Sequence, residues 1–482
     1  MFNIAKLFRL ENRVKPRVHF VGVCGVAMSA VAAELERLGA HVTGSDRAAY
    51  PPASEVLARA GVRVFEGFHA EHLDPAPDLV VVGNAVSRGN PEVERVLEQG
   101  LAYISLAELV GRLFLDGREP VVVAGTHGKT TTTALCAWCL RRAGRDPGWL
   151  VGGLPLGTGK GFHVGDGPTF VLEGDEYDTA FFDKRPKFVH YRPRVAVLNN
   201  LEYDHADVYR DLEALRWAFR QLLRIVPRSG LVVANADDPE VRGMAREAPC
   251  PVWTYSLKGE PADWTGAWKA GRVSVQGPGG VAFSADTNLV GSHQGWNVLA
   301  AAAVLSHLGL APEEIAEGIA SFPGVRRRAE LVGEAGGVRV YDDFAHHPTA
   351  VRGTLEGFRE RFPDARIWAV LEPRSNTMRR AVFQEVLASA FDAADRVCIR
   401  RPVEPEKAPA GDRLDVERLA RDVSARGTPA AAFPNADAIV ACLADELRPG
   451  DVVVVMSNGG FEGIHGRLLE ALAGVRGRSG RG

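Results

Sequence analysis

Short apolar runs recur along the chain at residues 18–21 (VHFV), 79–82 (LVVV), 121–124 (VVVA), 195–198 (VAVL), 338–341 (VRVY), 367–371 (IWAVL), 397–399 (VCI) and 451–456 (DVVVVM). Their lengths and β-branched content predict short buried strands, with another at 41–44. Stretches with helical character lie between them, such as 27–38 and 414–425. Strands alternating with helices predict parallel sheets with helices on their faces. Across 264–290 the pattern changes to glycine and β-formers, which predicts added antiparallel strands. No repeat of solenoid period interrupts this plan.

A chain of 482 residues suggests about three domains. Gly117-Arg118-Glu119-Pro120 reads as a linker, and a further alternating section starts near Gly324. The expected domains are therefore 17–116, 117–323 and 324–482. The Gly/Arg/Ser-rich tail 476–482 reads as disordered. Residues 1–17 are basic and mildly amphipathic but lack the apolar core and cleavage site of a secretory signal. They read as a surface leader, a weakly membrane-touching helix being the alternative. No apolar run reaches the roughly 18–20 residues of a membrane span. A net charge of -3 gives no reason to expect nucleic acid or stable membrane association. Six scattered cysteines form no disulfide framework, which points to a reducing, cytoplasmic setting. Cys136 and Cys139 make a C-x-x-C inside an apolar run, which reads as buried helix rather than an exposed redox pair.

Candidate chemistry begins where the strand 121–124 runs into Gly125-Thr126-His127-Gly128-Lys129-Thr130-Thr131-Thr132. A strand, a glycine loop and a helix in that order turn backbone N–H groups toward an anion at the helix N-terminus. Lys129 supplies a positive charge for β/γ-phosphates, and Thr130 a hydroxyl where Mg²⁺ binds. The general phosphate-loop pattern would place its first glycine at Val123, inside the strand. Further on, Glu173-Gly174-Asp175-Glu176-Tyr177-Asp178 sets acids at a strand end, where carboxylates suit Mg²⁺. A second strand end carries Asn199-Asn200-Leu201-Glu202-Tyr203-Asp204-His205.

Taken together, these segments resemble the Mur ligases, whose shortened loop G-T-x-G-K-[ST] matches Gly125 to Thr130. The resemblance implies an α/β protein of three domains: a Rossmann-like N-terminal domain for a UDP-sugar, a P-loop central ATPase domain, and a Rossmann-like C-terminal domain for the incoming amino acid or peptide. It implies ATP and Mg²⁺ as cofactors, with Thr130, Glu173 and His205 as metal ligands and Lys129 and Arg328 on the phosphates. Gly291 to Asn297 looks like the adenine segment, assigning His293 and Asn297 to the nucleotide; Gln294 stands where asparagine is usual. Phe322 to Glu330 and Asp342 to Pro348 look like two third-domain elements, with Asp343 and His346 facing ATP.

The first domain resembles the branches that bind UDP-N-acetylmuramate. Its glycine turn assigns Gly22, Gly25, Met28, Ser29 and Asp46 to that ligand, and a second loop adds Ser87 and Asn90. The segments 173–191, 372–379 and 457–461 are similar to the branch that adds the murein tripeptide L-alanyl-γ-D-glutamyl-meso-diaminopimelate, with Arg374, Asn376 and Asn458 as substrate residues. The branch that adds L-alanine differs there. No lysine occurs from Asp204 to Gly230, unlike family members that carry a carbamylated lysine after the Asp-His pair. The implied role is murein recycling, by a monomer with hinges near Gly117 and Gly324. Two other classes compete. A nucleotide-dependent UDP-sugar sensor would need no third domain with a ligand loop of its own. A dinucleotide-dependent oxidoreductase would need a fuller glycine fingerprint than Gly22-Val23-Cys24-Gly25-Val26-Ala27.

Overall fold

The computed structural model describes residues 15–49 and 53–479. Of the stretch 1–17, only its last three residues fall within that range. β1 (Arg17–Val21), β2 (His41–Asp46), β3 (Arg63–Glu66), β4 (Leu79–Val82) and β5 (Tyr103–Ser105) form an all-parallel sheet in the order β3-β2-β1-β4-β5. The helix predicted over 27–38 occupies Val26–Arg37.

The central sheet contains β6 (Glu119–Ala124), β7 (Gly148–Leu150), β8 (Phe162–His163) and β9 (Thr169–Glu173). A separate ribbon of β10 (Asp178–Ala180) and β11 (Asp183–Pro186) follows. The sheet resumes with β12 (Val195–Leu198), β13 (Leu231–Asn235), β14 (Val252–Ser256), β15 (Trp264–Lys269), β16 (Arg272–Gln276) and β17 (Ala282–Asp286). Its order is β17-β16-β15-β14-β13-β12-β6-β9-β7-β8. The antiparallel strands expected across 264–290 are the β15-β16-β17 meander. β6 shows why these strands read as continuous apolar runs. Val121 and Val123 enter one core and Val122 and Ala124 another, so both faces are covered. Glu119 and Pro120 correct the linker reading, because they open β6. Proline supplies no N–H, but its carbonyl accepts from Arg194 N at 2.9 Å, so the ladder continues.

The third sheet holds β18 (Glu330–Ala335), β19 (Val338–Asp343), β20 (Ile367–Leu371), β21 (Arg396–Arg400), β22 (Ala430–Phe433) and β23 (Val452–Met456), ordered β18-β19-β23-β20-β21-β22. Only its β18-β19 pair is antiparallel. The last described element is the helix Ile464–Ser479, so residues 476–479 are helical rather than irregular. Ile464, Leu468 and Leu472 bury its first turns, and a nucleated helix extends at one hydrogen bond per residue. Residues 480–482 lie outside the described range. Among the described residues, no helix is long and apolar enough to cross a membrane.

Candidate active site

β6, β9 and β12 run parallel, so their C-terminal ends open on one edge of the central sheet, where α/β sheets bind ligands. A cavity of about 2360 Å³ lies over that edge and is lined by all three domains. The loop leaving β6 turns on Gly125 (φ +141°) and Gly128 (φ +82°). A Cβ on Gly128 would lie 2.2 Å from Asn297 Oδ1 and 2.8 Å from Asn199 Nδ2, so only glycine fits. The helix Lys129–Arg142 starts there, and its first residues, Lys129, Thr130 and Thr131, line the cavity; the first N–H groups of a helix have no partner within it. Within it Cys136 and Cys139 are fully buried, and burial pushes the Cys136 thiol up to about 12, as expected of packing residues.

Two acid-centred groups meet at the helix start. Thr130 Oγ1 donates to Glu173 Oε1 at 2.9 Å, and Glu173 Oε2 accepts from Gly152 N at 2.7 Å. Lys129 Nζ donates to both oxygens of Glu176 at 2.9 Å and to Gly125 O at 2.6 Å. Burial pushes the ammonium toward its neutral form, but Glu176 and Asp175 outweigh burial and hold the Lys129 pKa above the usual lysine value. His205 Nε2 lies 2.8 Å from Glu176 Oε1. Its pKa is raised because this bond and the Glu176 charge overcome burial. His205 adopts φ +56°, a rare backbone state for a side chain of its size, with the Tyr177 ring 4.2 Å away. The expected metal set is thus divided. Thr130 and Glu173 touch each other, whereas His205 belongs to the Lys129–Glu176 group. Glu176 had no assigned role from sequence, being one acid of several in its turn, yet it is only 1% exposed and joins two candidate residues.

Thr126 and His127 brace the loop. Thr126 Oγ1 exchanges hydrogen bonds with the Glu202 backbone at 3.0 and 2.9 Å, and His127 Nε2 lies 3.0 Å from Glu202 Oε2. Thr131 is buried in the first helical turn. His293 and Asn297 open the helix Gln294–His307 behind the loop. Gln294 bridges them, accepting from Asn297 Nδ2 at 2.8 Å and lying 2.9 Å from His293 Nε2. Burial pushes His293 and His346 down to about 4, so both are neutral imidazoles near pH 7.

The third domain closes the far side. Arg328 Nη2 reaches Thr130 Oγ1 at 3.4 Å across the domain boundary, and its guanidinium lies 4.9 Å from the Phe344 ring centroid. Its neighbours do other work: Arg327 binds Asp342 and the carbonyls of Ser457 and Gly459, and Arg326 pairs with Glu330. Asp343 borders the cavity, but its oxygens accept from Ala329 N, Ala345 N and Thr354 Oγ1, so it braces its own domain. His346 Nδ1 is held by Phe344 O at 2.8 Å.

In the first domain Gly22 (φ +83°) brings the glycine turn against the second loop; a Cβ there would sit 3.1 Å from Val86 Cγ2. Gly25 caps the helix Val26–Arg37, and Met28 lines the cavity. Ser29 does not line it. The side chain is buried and donates to Val26 O, as serine does inside helices. Asp46 Oδ2 accepts from Cys24 N at 2.8 Å and so holds the turn. Ser87 lines the cavity, and Asn90 caps the helix Pro91–Gln99 through Glu92 N at 2.9 Å and Val93 N at 3.2 Å. Glu92, fully buried, receives Ser45 Oγ and His72 Nδ1 and pins this helix to the sheet, a role sequence pattern did not show.

Arg374, Asn376 and Asn458 gather at one end of the cavity. Asn376 Nδ2 donates to Asp207 Oδ2 at 2.8 Å, and Arg380 and Thr377 bind the Ala206 backbone. This part of the third domain therefore docks on the segment that follows His205. Arg379 Nε and Asn458 Oδ1, on two residues that line the cavity, are buried without a hydrogen-bond partner. Unsatisfied buried polar atoms are costly, and two on residues that line a cavity fit a polar ligand.

Comparison with known proteins agrees with this architecture. Residues 17–118 match the Mur ligase family, catalytic domain; 123–305 match the Mur ligase middle domain; and 327–459 match the Mur ligase, glutamate ligase domain. The UDP-N-acetylmuramate–L-alanyl-γ-D-glutamyl-meso-2,6-diaminoheptandioate ligase of Escherichia coli (strain K12) is 42% identical over 95% of this chain and 98% of its own. A UDP-N-acetylmuramate–L-alanine ligase of Rubrobacter xylanophilus is 38% identical over 80% of this chain and 83% of its own. The crystal structure of a murein peptide ligase from Psychrobacter arcticus 273-4 superposes with a TM-score of 0.73 at 36% identity, covering 95% of this chain and 99% of that one. The chain belongs to the Mur ligase family, whose members form amide bonds at the expense of ATP.

Proposed function

We propose that this protein joins the amine of the tripeptide L-alanyl-γ-D-glutamyl-meso-diaminopimelate to the lactyl carboxylate of UDP-N-acetylmuramate, for murein recycling in the cytoplasm. The observation that carries the reading is the meeting of Lys129, Thr130 and Glu173 with Arg328 of the third domain over a cavity that all three domains line. A carboxylate needs a leaving group before an amine can displace it. The γ-phosphoryl group of ATP makes an acyl phosphate, and the peptide amine releases phosphate from it. Such chemistry depends on positioning and charge neutralisation.

The first domain would hold the UDP-sugar through the Gly22–Gly25 turn and the Ser87–Asn90 loop. Lys129 would exchange its bond to Gly125 O for phosphate oxygens. Arg328 would neutralise the same phosphates on closure, with bending at Gly117 and Gly324. Thr130 and Glu173 present hard oxygen ligands 2.9 Å apart, a set that fits Mg²⁺. His205 would join them only by leaving Glu176. Bound Mg²⁺ supplies charge neutralisation on the phosphate oxygens. Isotope transfer tests the acyl phosphate. With ¹⁸O in the sugar carboxylate, one labelled oxygen is expected in the phosphate released; unlabelled phosphate would exclude this route.

The tripeptide reading is supported by Arg374, Arg379 and Asn458 in the cavity lining, with Arg379 Nε and Asn458 Oδ1 still unpartnered there. Arg374→Ala is expected to raise the tripeptide KM about tenfold or more while leaving the ATP KM unchanged, because a bidentate carboxylate contact is lost along with the Arg374–Glu372 ion pair. Unchanged tripeptide saturation would remove Arg374 from the peptide site.

A further inference from the structure

His127, Glu202 and His347 come from three separate segments: the phosphate loop, the stretch after β12, and the third domain. His127 Nε2 and His347 Nδ1 approach the same atom, Glu202 Oε2, at 3.0 and 3.3 Å. All three candidate ligand atoms lie within 4.8 Å of one another. A tetrahedral zinc site, with metal–ligand bonds of about 2.0–2.1 Å, separates its ligand atoms by roughly 3.3 Å. Two edges of that triangle are therefore already near the required length, and a modest ring rotation closes the third.

The supports are built in. The Glu202 backbone is locked to Thr126 Oγ1 on both sides, and the His127 N–H donates to Asn200 Oδ1 at 2.7 Å. His347 is buried, packs edge-on against Phe383 at 4.7 Å and caps the helix Pro348–Arg361. Its Nδ1 accepts only a long bond from Thr349 N, at 3.3 Å, which a metal would replace. The three residues line the main cavity, so a fourth position would face solvent or ligand. Two imidazoles and one carboxylate favour borderline cations such as Zn²⁺ or Co²⁺ over Mg²⁺, which prefers oxygen ligands throughout.

We propose that His127, Glu202 and His347 form a second cation site, selective for a divalent ion of the zinc class, which ties the third domain to the phosphate loop. This site shares no residue with the Thr130–Glu173 pair, and its existence does not depend on which amine the enzyme accepts. The ion would hold the third domain down and restrain its movement.

The test uses the full-length, nucleotide-free protein in buffer containing excess Mg²⁺, titrated with Co²⁺. The expected result is one equivalent bound, with visible absorption of a low-coordinate site that Zn²⁺ abolishes by displacement. Glu202→Gln, His347→Gln and His127→Gln, each checked for wild-type circular dichroism, are each expected to weaken Co²⁺ binding at least tenfold. No uptake by the wild-type protein would overturn the proposal whatever the variants do. Uptake left unchanged in the folded variants would overturn it equally.

Discussion

Lys129→Ala is expected to lower kcat/KM for ATP-driven phosphate release about a thousandfold, the scale seen when a preorganised charge on the reacting oxygens is removed. Lys129 is mostly buried, stays charged because Glu176 and Asp175 hold it so, and sits one residue inside a helix N-terminus. No other ammonium replaces it among its hydrogen-bond partners. The variant also leaves buried Glu176 without its lysine, with His205 as its remaining side-chain partner, so thermal stability should fall as well. Activity must therefore be measured well below the variant's melting temperature, with circular dichroism confirming the fold. A loss smaller than tenfold under those conditions would mean that Lys129 is a structural ion pair only.

Arg328→Ala is expected to lower kcat about a hundredfold or more, with a much smaller change in the affinity for UDP-N-acetylmuramate. Arginines supplied to a transferring phosphoryl group from another domain contribute on that scale or above it. Here the guanidinium crosses from the third domain to Thr130 Oγ1 and stands over Phe344. Arg327→Ala provides the contrast. Its bonds to Asp342 and to the Ser457 and Gly459 carbonyls predict mainly a loss of stability. Steady-state kinetics beside melting curves for the two variants separate the roles. Equal kinetic losses would show that the run of arginines acts as a general positive patch.

Much of the framework could be read from pattern. β4, β12 and β20 occupy the residues that their apolar runs predicted, because buried parallel strands leave no polar face to blur their limits. The phosphate loop was legible for a local reason: strand, glycine turn and helix start are contiguous, so one segment contains the geometry. What escaped depends on contacts between distant segments. Glu176 looks like every other acid in its turn until the fold sets Lys129 and His205 against it. Glu92 carried no signal in the sequence, yet His19, Ser45 and His72 converge on it in the fold. Ser29 shows how a local bond occupies a candidate residue. Its place near the glycine turn suggested a ligand contact, while helical geometry sent the hydroxyl to its own backbone. Asp343 borders the cavity as its segment suggested, but bonds within its own domain occupy its oxygens.

The acceptor amine defines the reaction, and one measurement identifies it. Pure protein with ATP, Mg²⁺ and UDP-N-acetylmuramate is followed for phosphate release after addition of L-alanyl-γ-D-glutamyl-meso-diaminopimelate or of L-alanine. Release is expected to depend on the tripeptide, together with a product mass equal to the two substrates less one water. Release with L-alanine and none with the tripeptide would contradict the assignment of the third-domain pocket, and release with neither would contradict the ligase reading itself.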